Sequence, residues 1–282
     1  MDRQRPEIAC LMYHDVSDDP ASTGMQRAHA RRYTLDRRAF AEHLQRFTAA
    51  GLVPEAVAEL GFARPGRHLL LTFDDGGKSG SYVADVLAER GWPAHFFVIT
   101  SRIGGATFLN GAELRALRAG GHLVGTHSHT HPDIFRDLTR RQMLDEWRTS
   151  RTILEDLLGE PCVAGSVPGG DISAQVLEAA AEAGLRFLFT SEPWTAARRV
   201  NDCWVFGRLC LKAGMSPDRV EARVRMRGWR MDRLERGLKE LARFSMAPLY
   251  RMYVERTTSP LPPESSPPTD ERQPGPRRAA RV

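Results

Sequence analysis

The sequence predicts an α/β fold in which seven parallel strands alternate with helices and curl into a closed or nearly closed barrel. Short apolar runs rich in β-branched and aromatic residues recur along the chain, and each ends in polar or turn residues. A stretch with helical periodicity follows nearly every run, the pattern of βα units in a parallel sheet. A glycine stands after each of the first five helical stretches, where a C-cap is expected. With 282 residues, 41% of them hydrophobic and 27% charged, the chain has the composition of one globular domain with a tail.

Taken in order, the strands are expected at Ile8–Tyr13, His68–Phe73, Ala94–Thr100, His122–Gly125, Cys162–Val167, Arg186–Thr190 and Cys203–Leu211. Helices are expected at Arg37–Ala50, Ser79–Arg90, Gly111–Ala119, Arg140–Leu158 and Ser173–Ala183, with Gly51, Gly91, Gly120, Gly159 and Gly184 behind them. Two further helices, Pro217–Arg227 and Met231–Tyr253, carry much of the net charge of +5, and the second is amphipathic. From Glu255 onward Pro, Ser, Thr and Arg dominate and no core can form. The organisation expected is therefore a barrel over residues 1–214, basic C-terminal helices over 215–254 packed on or beside it, and a disordered tail over 255–282.

The basic excess leaves room for peripheral contact with an anionic membrane, although a solvated helix face accounts for it as simply. No basic stripe interleaved with aromatics is present, so no nucleic-acid partner is expected. Cys10, Cys162, Cys203 and Cys210 are scattered in or beside apolar runs without C-x-x-C pairing, as buried reduced thiols would be. The polar start of the chain lacks the apolar core of a signal peptide, and no segment reaches bilayer-spanning length. A cytoplasmic location, peripheral to the inner membrane if membrane-associated, is the expectation.

Reactive groups of parallel α/β folds gather where the strands end. Here the first strand ends in His14 and Asp15, the second in Asp74 and Asp75, the fourth in His127, Ser128, His129 and His131, and the fifth in Ser166, Pro168, Gly169 and Gly170. Adjacent carboxylates such as Asp74 and Asp75 are costly to ionise together unless a cation neutralises one of them. His127 and His131 have the i, i+4 spacing that can converge on one ion from a helical turn, and Asp75 adds a hard oxygen. Either motif alone has a bland reading as a turn or a polar loop. Together they point to one divalent ion with coordination positions left for water and substrate. Zinc is the expected metal, and the same donors accept cobalt, nickel or iron.

These residues resemble the polysaccharide deacetylases of the NodB-homology type, carbohydrate esterase family four. Leu71-Thr72-Phe73-Asp74-Asp75-Gly76 is similar to the first family motif and Gly125-Thr126-His127-Ser128-His129-Thr130-His131-Pro132 to the second. Leu11-Met12-Tyr13-His14-Asp15-Val16 resembles the start of members acting on exopolysaccharides. The resemblance implies a distorted (β/α)7 barrel over roughly residues 7–211, Asp75, His127 and His131 as metal ligands, and Asp74 as general base. It also implies hydrolysis of an N-acetyl amide on a polysaccharide amino sugar or its lipid-linked precursor. In Ser166-Val167-Pro168-Gly169-Gly170, at the place of the third motif, the Gly169 N–H is the candidate oxyanion donor.

The later motifs depart from the family. Ser166 stands where an arginine usually holds the base aspartate, so Arg208 becomes the candidate cation for Asp74. Pro168, Arg208 and Trp194, the last in a faint echo of the fourth motif, are candidate substrate contacts. No histidine follows His131, where the family's general acid would lie. His14, on the strand next to the last one in a closed barrel, is then the candidate acid or substrate-binding group. Two alternatives stay open: a deformylase or deacylase of an undecaprenyl-linked sugar at the membrane, and a metal- or carbohydrate-binding barrel without catalysis.

Overall fold

The structure is a computed structural model and describes residues 6–245, apart from 28, 62–64 and 171. The expected tail over 255–282 and the end of the last expected helix, beyond Ser245, lie outside the described residues.

Seven parallel strands form the frame: β1 (Glu7–Tyr13), β4 (Arg67–Phe73), β5 (His95–Val98), β6 (Leu123–Thr126), β7 (Ala164–Ser166), β8 (Phe187–Phe189) and β10 (Cys203–Phe206). Two short strands, β2 (Asp15–Val16) and β3 (Thr34–Leu35), pair separately beyond the end of β1. Strand β9 (Arg198–Val200) lies antiparallel on β10 as an edge, and β11 (Leu209–Cys210) pairs with β1, giving the order β11-β1-β4-β5-β6-β7-β8-β10-β9. The expected last strand, Cys203–Leu211, is thus broken at Gly207-Arg208. Its first half pairs with β8 and its second half with β1. The chain itself, not an unbroken hydrogen-bond ladder, carries the curled sheet across the seam. Strand β9 escaped the sequence reading because Arg198-Arg199-Val200 has little apolar character and is mostly exposed.

Strand alternation divides the core. Ala9, Leu11 and Tyr13 of β1 and Leu69, Leu71 and Phe73 of β4 face the helices, in one cluster with Phe40, Leu44 and Phe47. Ile8, Cys10 and Leu70 point the other way and meet Phe97, Phe189 and Phe206. Continuing that alternation from Leu70 through Thr72 brings Asp74 to the inner face at the carboxyl end of β4.

Helices α1 (Arg37–Ala50), α2 (Gly80–Ala88), α3 (Gly111–Ala119), α4 (Arg140–Leu158) and α5 (Ala174–Glu182) follow the expected periodicity. Asp36, Asn110, Thr139 and Ser173 cap the N-termini of α1, α3, α4 and α5. Helix α6 (Pro217–Val224) buries Val220 and Val224 in the cluster that holds α1, and Arg46 of α1 reaches Asp218 and Glu221. Helix α7 (Trp229–Ser245) follows. Among the described residues no helix is long and apolar enough to cross a membrane.

Candidate functional site

Asp75, His127 and His131 come together although Asp75 and His127 are 52 positions apart in the sequence. Their ligand atoms all lie within 4.8 Å of one another, with Asp75 Oδ1 at 3.4 Å from His127 Nε2 and 3.8 Å from His131 Nε2. Bonds of 2.0–2.1 Å at tetrahedral angles put ligand atoms about 3.3 Å apart, so the cluster has the span of a divalent-ion site. One carboxylate and two imidazoles also form a borderline donor set suited to zinc and its first-row neighbours.

The backbone that delivers these groups is unusual. Asp75, Ser128 and His131 have φ of 74°, 66° and 57°, a left-handed conformation that costs energy in residues with a Cβ. The two histidines therefore do not converge from a helical turn, as their spacing suggested. They sit in a loop after β6 that left-handed residues fold back on itself. Side chains hold the loop in place: Ser128 Oγ accepts from His131 N at 3.1 Å, and Thr126 Oγ1 accepts from Ser128 N at 3.0 Å. Glu146 of α4 accepts from the N–H groups of His129 and Thr130 at 2.8 Å each and from Thr130 Oγ1 at 2.6 Å. His129 turns aside to Thr100 Oγ1, at 3.0 Å.

Asp74 lies against the triad, its Oδ2 3.9 Å from His127 Nε2. Arg208 grips it through Nη1 to Oδ1 at 2.7 Å and Nη2 to Oδ2 at 2.8 Å. The same guanidinium donates from Nη1 to Thr72 Oγ1 at 3.0 Å and from Nε to the Thr190 carbonyl at 2.9 Å. Its charge sits between the rings of Phe97 and Phe189, in the barrel interior. The break in the last strand makes this possible. A Cβ on Gly207 would fall 2.4 Å from the Glu192 carbonyl oxygen and 2.5 Å from the Trp194 ring, and this close passage turns the next residue inward. Arg208 is 0% exposed, so its expected role as a substrate contact is corrected: its donors are spent on Asp74, Thr72 and Thr190.

Ser166 occupies the position at the end of β7 between the two motifs. Its Oγ lies 2.5 Å from His127 Nδ1 and donates to Asp74 Oδ1 at 3.3 Å, while its carbonyl lies 3.1 Å from the same Nδ1. With Nδ1 so occupied, Nε2 is left for an ion. Sequence reasoning saw Ser166 only as a missing arginine and overlooked Glu146, which looks like any other glutamate on a helix.

Burial pushes Asp75 up, but the hydrogen bond from His127 and the charges of His14, His131 and His127 outweigh it and hold the carboxyl below its ordinary range. Burial also opposes ionisation of Asp74, and Arg208, then His127, bring it below the usual value. His131 is driven down to about 4 by burial and by the neighbouring His127 charge, so it is neutral and free to ligate. Burial lowers His127 as well, but Asp74 and Asp75 raise it overall.

His14 stacks on Tyr33, with centroids 4.7 Å apart, and its Nδ1 is buried without a hydrogen-bond partner. Gly169 follows Pro168 at φ 62° and is exposed. Pro168 needs correction as a substrate contact. Pro168 is buried in the turn after β7, and Trp194 lies against Gly207 with the Arg198 guanidinium 3.9 Å from its ring centroid. The loop carrying Trp194 also gives its Thr195 carbonyl to Ile8 N at 2.7 Å, at the far end of β1 from His14.

Residues 63–188 match the family model described as polysaccharide deacetylase. A chitooligosaccharide deacetylase of Rhizobium leguminosarum bv. trifolii is 40% identical over 83 residues, 28% of this chain and 37% of that protein. That of Rhizobium leguminosarum bv. phaseoli is 34% identical over 142 residues, 48% of this chain and 59% of that protein. The chain thus spans less than two thirds of these relatives' own length. In three dimensions it is similar to a polysaccharide deacetylase from Bacillus cereus, with a TM-score of 0.67 and 18% identity over 78% of this chain and 69% of that one, a likeness of fold. Asp74, Asp75, His127, His131 and Ser166 all fall inside the matched segment, whereas His14 and Arg208 lie outside it. The segment that matches the polysaccharide deacetylase model thus carries most of the site, and the barrel around it has the fold of the solved deacetylase.

Proposed function

We propose that the protein is a metal-dependent hydrolase that removes an N-acetyl group from an amino sugar of a polysaccharide or its precursor. One observation carries this reading: an ionised carboxylate, clamped by a buried guanidinium, lies beside a carboxylate and two imidazoles spaced for one ion. Asp75, His127 and His131 would hold that ion, zinc by the character of the donors, and a bound ion supplies Lewis acidity to the acyl oxygen and acidifies its water. Asp74 takes the proton of the attacking water. Arg208 keeps it ionised and aimed, because both carboxylate oxygens are fixed. The N–H of Gly169 is the donor for the developing oxyanion, supported by its exposure just beyond the strand whose Ser166 touches both Asp74 and His127. His14 donates the proton to the leaving amine. Its support is the buried Nδ1, which has no hydrogen-bond partner.

The test is acetate release from an N-acetylated chitooligosaccharide after loading with zinc, cobalt or nickel, compared with Asp74→Asn. Release by the wild type and its loss in the variant are expected. Equal release by both would remove Asp74 from the mechanism, and no release with any of the metals would favour a binding barrel.

A further inference from the structure

Helix α7 is amphipathic in the reverse sense to a helix packed on a globular body. Its polar side faces inward. Asp232 is buried against Arg219 and Arg223, with contacts of 3.0 Å to each. Arg236 donates to Glu192 Oε1 and to the Gly170 carbonyl, both at 2.9 Å. Glu240 accepts from Arg136 at 3.3 Å and pairs with Arg236 at 3.0 Å. Among the described side chains of the helix, Trp229 is the one large apolar group added to the body, its Nε1 donating to the Arg223 carbonyl at 2.9 Å.

The apolar side faces outward. Met231, Leu234, Leu238 and Leu241 are 58–62% exposed and make up four of the five exposed large hydrophobics among the described residues. Their spacing of three, four and three residues sets them in one stripe, about 15 Å long at 1.5 Å per residue. Exposed Arg230 and Arg233 border it on one side; on the other lie exposed Glu235, which pairs with Arg219 at 3.7 Å, and beyond it exposed Lys239. The ion pairs also fix where the stripe sits: Arg136 belongs to the segment after β6, Gly170 to the turn after β7 and Glu192 to the loop after β8. All three lie at the carboxyl ends of strands, so α7 runs along the rim of the mouth that holds the metal triad.

We infer that this stripe is a docking surface for an anionic lipid membrane, which α7 holds beside the opening of the site. Leucines that sink into the acyl boundary while flanking cations reach lipid phosphates are the pattern of a helix lying in a membrane interface. The sequence directly after the described residues keeps the same character, with Met246, Leu249, Tyr250, Met252, Tyr253 and Val254 around a single Arg251. A second copy is a poorer fit, because an antiparallel pairing about the stripe would set the Arg230–Arg233 edge against itself. The inference stands apart from the proposed reaction, since binding is read without substrate.

Flotation of the full chain with phosphatidylcholine vesicles, with and without phosphatidylglycerol, tests this. The comparison is Leu234→Gln/Leu238→Gln, which leaves every charge in place at exposed helix positions. The wild type should float with the phosphatidylglycerol vesicles and be released by salt, and the variant should bind at least about tenfold more weakly. Failure of the wild type to float, or equal flotation of the variant, would overturn the inference, the latter placing binding on basic charge alone. Light scattering of both proteins without lipid gives the remaining outcome. A wild-type dimer that the variant turns into a monomer would make the stripe a subunit interface and refute the membrane.

Discussion

Arg208 closes on Asp74 from 134 residues away, one nitrogen of its fork on each carboxylate oxygen at 2.7 and 2.8 Å, inside a barrel that leaves it 0% exposed. A planar bidentate pair fixes orientation as well as charge, which a single lysine contact would not. It compensates for the serine at position 166, where the resembled family places an arginine.

Removing that guanidinium should cost both fold and activity. Arg208→Met strands a buried carboxylate, so about 3–5 kcal/mol of stability is expected to be lost in denaturant titration. With Arg208 present, Asp74 is held below its ordinary value against the effect of burial, and it stays ionised well into acid. Without it, burial prevails and the Asp74 pKa rises, so the acid limb of the pH–rate profile should move to higher pH. The rate of acetate release at neutral pH should fall by about a hundredfold. Arg208→Lys should restore charge but not the fork, recovering stability more than rate. An unmoved acid limb in Arg208→Met would show that Asp74 is not the group titrating.

Asp74-Asp75 and His127/His131 were legible because neighbouring acids and clustered imidazoles are chemically costly without a cation, whatever fold surrounds them. Arg208 could be picked out as a lone charge in an apolar strand, but its direction could not. That direction depends on a break in the strand at Gly207, where the backbone passes close to Trp194, and a run read as one continuous strand hides it. For α7, periodicity revealed two faces but not which one meets the body. Asp232, Arg236 and Glu240 find their partners on four separate segments, and pairings across such distances leave no local pattern. The left-handed Ser128 and His131 were hidden for a similar reason, since the i, i+4 spacing is shared by helix and folded loop alike.

Ser166 should tune the metal site without holding the metal. Its hydroxyl and carbonyl both meet His127 Nδ1, so Ser166→Ala keeps one partner and loses the other. Zinc affinity measured by calorimetry should weaken about tenfold, in the range found for partners of ligating histidines. Affinity unchanged from wild type would mean that the carbonyl alone orients the ring.

Glu146 should matter through the loop it holds. In Glu146→Ala the N–H groups of His129 and Thr130 lose their acceptor, at a cost of about 1–3 kcal/mol in stability, with zinc affinity falling as His131 loosens. Glu146→Gln can still accept from both N–H groups with its one oxygen, and its amide can donate to the Thr130 hydroxyl. Thermal unfolding with and without zinc separates the two variants. Identical behaviour would put the loop's order in Ser128 and Thr126 instead.

Asp15 presents the opposite electrostatic case to Asp74. It is 4% exposed, and the hydroxyls of Thr23 and Ser79 both donate to its Oδ1, at 2.6 and 2.7 Å. Gly24 and Gly77 pack so closely that a Cβ on either would fall within about 2 Å of a carboxylate oxygen. Burial raises the Asp15 pKa more than the two hydroxyls lower it. A carboxyl whose folded value lies above its unfolded value binds its proton more tightly in the fold. The stability it contributes is therefore present below the unfolded pKa, about 4, and is lost as pH rises through the folded value. At neutral pH the ionised group is a burden. Asp15→Asn is nearly the same shape, and its single amide oxygen can accept from both hydroxyls. Its melting temperature should exceed that of the wild type at pH 7, and the gain should vanish as the pH approaches 4. A variant less stable than wild type at neutral pH would mean that the charge itself is needed where β1 ends and His14 begins the mouth.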